Sequence, residues 1–182
     1  MIKSKFVQLA IALCCFIVLS SFAVLALHPV DSKDAVTFVI QNFGINTKGE
    51  FNGLKGNIQW NEENPSASSI NVSVDANTIN TAIAARDKEL KDETYFNTDK
   101  YPAISFVSTA IAPANAGYKA TGNLTMKGVT KTISFPFTAT KTANGYLFNG
   151  KFTINRLDYG IGKSSMVLGD DVDITLKVQA VQ

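Results

Sequence analysis

DVDITLKVQ, residues 171–179, alternates without a break: Val172, Ile174, Leu176 and Val178 fall on one side of an extended chain, and Asp171, Asp173, Thr175, Lys177 and Gln179 on the other. Successive side chains of a strand point to opposite faces, so such a run has one dry face and one wet face. Antiparallel sheets have this character, whereas parallel sheets are buried on both sides. The same period recurs upstream in Val36-x-Phe38-x-Ile40, Ile70-x-Val72-x-Val74, Ile104-x-Phe106 and Ala120-x-Gly122-x-Leu124-x-Met126. It continues in Ile133-x-Phe135-x-Phe137 and Tyr146-x-Phe148-x-Gly150-x-Phe152-x-Ile154. Asn144-Gly145 gives a strong hairpin signal between two of these runs, and Lys127-Gly128 and Ala116-Gly117 give weaker ones.

About eight strands with one apolar face each predict an all-β domain, either a sandwich of two sheets or a closed antiparallel β-barrel. Closure would remove the edges that invite pairing with other chains. A single short helix is expected near residues 81–92, where TAIAARDKELK sets Ile83 and Leu90 seven apart among charges. No repeat, low-complexity linker or second domain is visible.

The N-terminus has a different character. Lys3 and Lys5 precede an uncharged, mostly apolar run from Phe6 to Leu27, which reads as a secretory signal peptide over residues 1–27, with an uncleaved N-terminal membrane anchor as the alternative. Ser21-Phe22-Ala23 and Val24-Leu25-Ala26 both offer small residues suited to cleavage. The domain proper is then 28–182. Cys14 and Cys15 lie in the leader, so this domain has neither a disulfide nor thiol chemistry. It holds fifteen basic and fifteen acidic residues, a balance that gives no basic face for nucleic acid.

Catalytic chemistry is poorly provided for. His28 is the one histidine, so zinc sites, thiol sites and a Ser-His-Asp triad have no obvious residues to use. Gly160-Ile161-Gly162-Lys163-Ser164 lacks the first glycine of a phosphate loop, since Leu157 stands five residues before Gly162. Asp170-Asp171 beside a turn reads as a solvated rim; only their charge suggests calcium. No enzyme, metal or cofactor is expected.

The dry faces are rich in rings. Six of the nine phenylalanines beyond the leader lie on alternating positions, which suits a wide apolar interior and equally suits a well-packed core. An eight-strand barrel can be filled by side chains or can hold one small ligand. The residues expected on the interior wall are Phe38, Ile40, Trp60, Phe106, Leu124, Met126, Phe135, Phe137, Phe148 and Phe152, with plain core packing as the alternative for each. Tyr95, Phe96, Tyr101 and Pro102 are expected to close one end beside the helix, Pro102 also fixing the start of the next strand. Arg156 and Asp158, two apart in a turn, read as a structural contact rather than a head-group clamp.

RDKELKDETYFNTDKYPAISFVS, residues 86–108, resembles the signature of the YceI-like family: an Arg-Asp and a Leu, a pair of aromatics, Tyr-Pro, then Ile-x-Phe-x-Ser. Gly49-x-Phe51-x-Gly53-Leu54-x-Gly56-x-Ile58 is similar to that family's early glycine-spaced hairpin, and Ile79-x-Thr81 to its Ile-x-Thr before the helix. Gly122-x-Leu124-Thr125-Met126-Lys127-Gly128-Val129-Thr130 and Asn155-Arg156-x-Asp158-Tyr159-Gly160 resemble two later turns. Lys127 stands where the family often has His. The resemblance spans nearly all of residues 35–180. It implies a lipocalin-like antiparallel β-barrel exported to the periplasm, which binds and carries a long-chain apolar ligand, a polyisoprenoid, quinone-like or fatty-acyl lipid, in its interior. A bound isoprenoid or acyl lipid would be its only non-protein component. The membrane enters as the source of lipid or through an uncleaved N-terminus facing the periplasm, and a homodimer is left open. The competing reading is an anchored or secreted interaction or stress-response module with a filled barrel and no lipid.

Overall fold

The computed structural model describes residues 23–182. Nine strands run in chain order as β1 (Leu25–Pro29), β2 (Val36–Asn42), β3 (Ile45–Trp60), β4 (Ser69–Asn80), β5 (Ala103–Ala114), β6 (Gly117–Met126), β7 (Val129–Thr142), β8 (Gly145–Asn155) and β9 (Leu168–Val181). Helix α1 (Ala84–Lys91) lies between β4 and β5, and short 3-10 turns occupy Pro65–Ala67 and Arg156–Tyr159. All pairings are antiparallel. The order is β1-β3-β2-β9-β8-β7-β6-β5-β4, and a further pairing of β3 with β4 closes the sheet into a barrel.

The ninth strand is one more than the alternation predicts, and it does not enlarge the barrel. Strand β2 pairs with β3 from Val36↔Phe51 to Asn42↔Ile45, and with β9 from Val36↔Leu176 to Asn42↔Leu168. Strand β1 pairs with the far parts of the same two neighbours, Leu25↔Trp60 on β3 and His28↔Val181 on β9. β1 and β2 therefore share one of eight positions in the wall. Leu27 is 1% exposed and Leu25, Ala26 and Leu27 pair with β3, so residues 25–27, at the end of the apolar run, are barrel wall. The rest of the expected leader, residues 1–22, lies outside the described residues.

The alternation read from the sequence appears in the burial of β9, where Asp171, Asp173, Thr175 and Lys177 face solvent and Val178 is buried. Glycines make room for rings on the inner face. Gly49 lies opposite Phe38, and a Cβ there would sit 2.2 Å from the Phe38 ring. A Cβ on Gly122 would fall 2.4 Å from the Val107 carbonyl and 2.6 Å from Phe106. One end of the barrel is sealed by Trp60, which meets Tyr118, Phe137, Tyr146 and Phe148 edge-on at ring-centroid distances of 4.8, 5.9, 6.1 and 5.4 Å. This is favoured ring geometry.

Because β1 completes the wall beside Trp60, a chain beginning at Leu27 is expected to be about 1–2 kcal/mol less stable than one beginning at Val24, through lost apolar burial and two ladder pairs. Urea unfolding of the two chains measures the difference; equal midpoints would mean that residues 24–26 contribute nothing.

Candidate functional site

Several side chains that point into the barrel are only half-buried. Val72, Ile104, Ile133, Phe152, Ile174 and Leu176 all have this character although they belong to the inner faces of their strands. They face a cavity of about 150 Å³. A second cavity of about 100 Å³ lies beneath α1, between the ends of β2, β3 and β9. Phe38, Phe51, Met126, Ile154 and Ile174 line both, so the two chambers adjoin across these side chains. Rings stand at the partition: Phe38 and Phe51 are 5.5 Å apart, and Phe96 meets Phe51 edge-on at 5.5 Å.

Nine of the ten expected wall residues line these chambers. Phe106, Leu124, Phe135, Phe137, Phe148 and Phe152 line the inner one, Ile40 the outer one, and Phe38 and Met126 both. Trp60 lines neither; it packs behind Phe137 and Phe148 as the seal of the closed end. Phe51, Leu54 and Ile58 of β3 complete the wall and escape a period-two reading. The register of β3 against β4 shifts between Asn52 and Lys55, around Gly53 at φ +73°, so the inward positions jump from Phe51 to Leu54. A β-bulge of this kind adds one residue and breaks the alternation.

At the helix end, the four aromatic and proline positions divide. Tyr95 and Phe96 line the outer chamber. Tyr101 and Pro102 do not: the Tyr101 ring covers Gly128 at the β6–β7 turn, and Pro102 is exposed. Pro102 does fix the start of β5, since its carbonyl accepts from the Ala76 N–H at 2.8 Å. Lys127, at the turn beneath Tyr101, donates from Nζ to the carbonyls of Thr94 at 3.0 Å and Gly160 at 2.7 Å, tying three loops together. Burial holds its pKa below the usual lysine value, against the opposing charge of Glu93.

Arg156 forms the structural contact expected of it, with Asp170 rather than Asp158. It is 3% exposed and donates to the carbonyls of Gly169, Ile161 and Lys163 at 2.8, 2.8 and 2.9 Å and to the Asp170 carboxylate at 2.8 Å. The glycine-rich stretch after it is thus wrapped around a guanidinium. At the closed end the Tyr146 hydroxyl donates to Glu62 at 3.0 Å. Burial, then Glu62, pushes the Tyr146 and Tyr118 hydroxyls above the ordinary tyrosine pKa, so both stay neutral at physiological pH.

Exposed apolar residues stand next in sequence to Asn42 and Leu168 of the outer chamber. Phe43, Ile45, Met166 and Val167 are 72%, 70%, 105% and 41% exposed, and the Phe43 N–H donates to the Val167 carbonyl at 2.7 Å, which joins the β2–β3 tip to the loop before β9. Phe43 precedes Gly44 with φ +52°. Asn-Gly is the usual pair in such hairpin turns, and a bulky residue at positive φ is uncommon. The tip therefore holds a ring in solvent on a backbone that disfavours it. No acidic residue lines either chamber; the arrangement can enclose an apolar chain.

Comparison with known proteins gives one family. The profile described as YceI-like domain matches residues 28–180. A UPF0312 protein of Yersinia enterocolitica is 31% identical over 170 residues, covering 88% of each chain. Burkholderia cenocepacia BcnA superposes with a TM-score of 0.76 at 22% identity, over 88% of this chain and 100% of that one. A polyisoprenoid binding domain from Saccharophagus degradans, implicated in plant cell wall breakdown, superposes with a TM-score of 0.67 at 16% identity, over 87% and 99%. These two share the fold.

Phe96 is half-buried and has the Phe51 ring as its partner. Phe96→Ala is therefore expected to cost about 1–2 kcal/mol, below the 3–5 of a fully buried ring. Denaturant unfolding gives the number; a cost above about 3 kcal/mol would make Phe96 a core plug rather than a part of the mouth.

Proposed function

The chain belongs to the YceI-like family, and from that membership we propose that its barrel binds and carries one long apolar chain, an isoprenoid or fatty-acyl lipid, without chemical conversion. The observation that carries this reading is the pair of adjoining chambers walled by inward-facing apolar side chains. The polyisoprenoid-binding character of the Saccharophagus degradans domain supports the same class of ligand. A cavity of about 150 Å³ takes a molecule the size of benzene, so a long chain must occupy both chambers and turn aside the Phe38, Phe51 and Phe96 rings. Each buried methylene contributes about 0.8 kcal/mol, and ten contribute about 8, which is comparable to association costs of roughly 4–15 kcal/mol. Loading is thus favourable for long chains and poor for short ones.

The apolar rim supports collection from a bilayer. Phe43 and Val167 are next in sequence to Asn42 and Leu168 of the outer chamber, and with Ile45 and Met166 they are exposed and carry no charge, which suits insertion among lipid head groups. Export to the periplasm with removal of the leader ahead of Val24 fits this role. Leu25 pairs with Trp60 at the sealed end, whereas Ile45 lies at the opposite end of the same strand, on the order of 50 Å of extended chain away. A retained anchor would hold the sealed end toward the membrane and the rim away from it.

Native mass spectrometry of the exported protein, followed by organic extraction, tests the reading. A single co-purifying isoprenoid or acyl chain per barrel is expected. An apo mass that takes up neither added quinone nor hexadecanoic acid would overturn it and favour a surface-binding module.

A further inference from the structure

We propose that the open end of the barrel docks on an anionic bilayer, with Phe43, Ile45, Ile83 and Met166 entering the head-group layer and Lys48 and Lys163 meeting lipid phosphates. This rests on the lipid-binding reading above and names the charge of the surface from which the barrel is loaded.

Exposed apolar side chains are concentrated at this end. Among the described residues eight large apolar side chains are exposed, and five of them, Phe43, Ile45, Ile83, Met166 and Val167, lie in the three segments that border the outer chamber. The other three stand elsewhere: Val24 and Val30 flank β1, and Val107 is on β5. Asn42 lines the outer chamber and pairs with Ile45 on β3 and with Leu168 on β9. Directly paired residues share a face of the sheet, so Ile45 continues the inner face beyond its last lining residue. Ile83 stands between Thr81 and Arg86, which both line the chamber.

The tip keeps its ring against two costs. Phe43 is 72% exposed, and with Gly44 at φ +74° it forms a two-residue turn at φ +52°, where Asn is the usual first residue. The charge nearby has one sign. Residues 42–48 and 161–169 contain two lysines, Lys48 and Lys163, and no acid, and both lysines are exposed. The next acids along these segments are engaged within the protein: Glu50 accepts from Asn80 Nδ2 at 3.0 Å, and Asp170 from Arg156 at 2.8 Å. Apolar side chains beside exposed lysines fit acyl chains beneath anionic phosphates.

The patch suits a bilayer better than a second copy of the chain. A stable protein interface takes about 20–30 residues a side, and five side chains on three narrow segments fall far short of that. The leader enters at the other end of the barrel, where Leu25 pairs with Trp60. A small patch gives weak, reversible contact, and a carrier has to leave the membrane after loading.

Co-sedimentation of the exported protein with two kinds of vesicle tests this: phosphatidylcholine alone, and equal parts phosphatidylcholine and phosphatidylglycerol. Partition into the anionic vesicles is expected to be about tenfold or more the stronger, as two lysines near a charged surface would give, and to weaken as salt is raised. Phe43→Asn with Met166→Ser should lower that partition about tenfold, while Phe43→Asn, which restores the usual turn pair, holds or raises the urea midpoint. Lys48→Gln with Lys163→Gln should remove most of the anionic preference. Equal partition into both vesicles would overturn the charge assignment, and vesicle binding indifferent to Phe43 and Met166 would overturn the surface. A dimer in solution that Phe43→Asn with Met166→Ser dissolves would make a second copy the occupant instead. Absence of binding to either vesicle, with hexadecanoic acid still taken up from solution, would overturn the docking and leave the lipid reading in place. Loss of that uptake as well would remove both.

Discussion

Strand β3 must be hydrogen-bonded along both edges, and the rest of the molecule depends on that constraint. Its sixteen residues pair with β2 and β1 on one side and with β4 on the other. Without the β3–β4 pairing the sheet would be an open ladder from β1 to β4 with an unpaired edge at each end, a template for association. With it, every apolar face turns toward one axis. The bulge near Gly53 supplies the local bend that the closure requires.

Closure also fixes what the interior can be. Eight wall positions enclose a space that side chains can just fill or can leave open for one small ligand. Here glycines at 49 and 122 take inward positions beneath the rings of Phe38 and Phe106, so the rings lie along the wall and chambers remain between them. The two ends then differ in chemistry. Trp60 and its four ring partners seal one end. The other end has α1, two arginines and an exposed apolar rim. An interior with one dry end and one polar, open end is suited to an amphiphile held in a single direction.

Much of this was legible in the sequence because period two is a direct record of which side faces the axis. Strand β9 announces itself in DVDITLKVQ, and the inner faces of β6, β7 and β8 are as readily seen. Strand β1 was hidden because its Leu-Ala-Leu continues an apolar run without a change of composition. Phe51 and Leu54 were hidden by the bulge, which shifts the period without altering residue type. Tyr101 was assigned to the mouth from its nearness to Phe96 in the chain, but the turn at 97–100 carries it to the β6–β7 hairpin.

Trp60 provides the most direct test of an interior site, because it is the one tryptophan in the chain and lies behind Phe137 and Phe148 at the sealed end. Hexadecanoic acid brominated at its terminal methyl group, and the same acid brominated beside the carboxylate, would each be titrated while Trp60 fluorescence is followed. A chain threaded through both chambers with its head at the mouth predicts strong, saturable quenching by the tail-brominated acid and little by the head-brominated one. Saturable binding of both acids with no quenching of Trp60 would place the ligand outside the barrel and contradict the account.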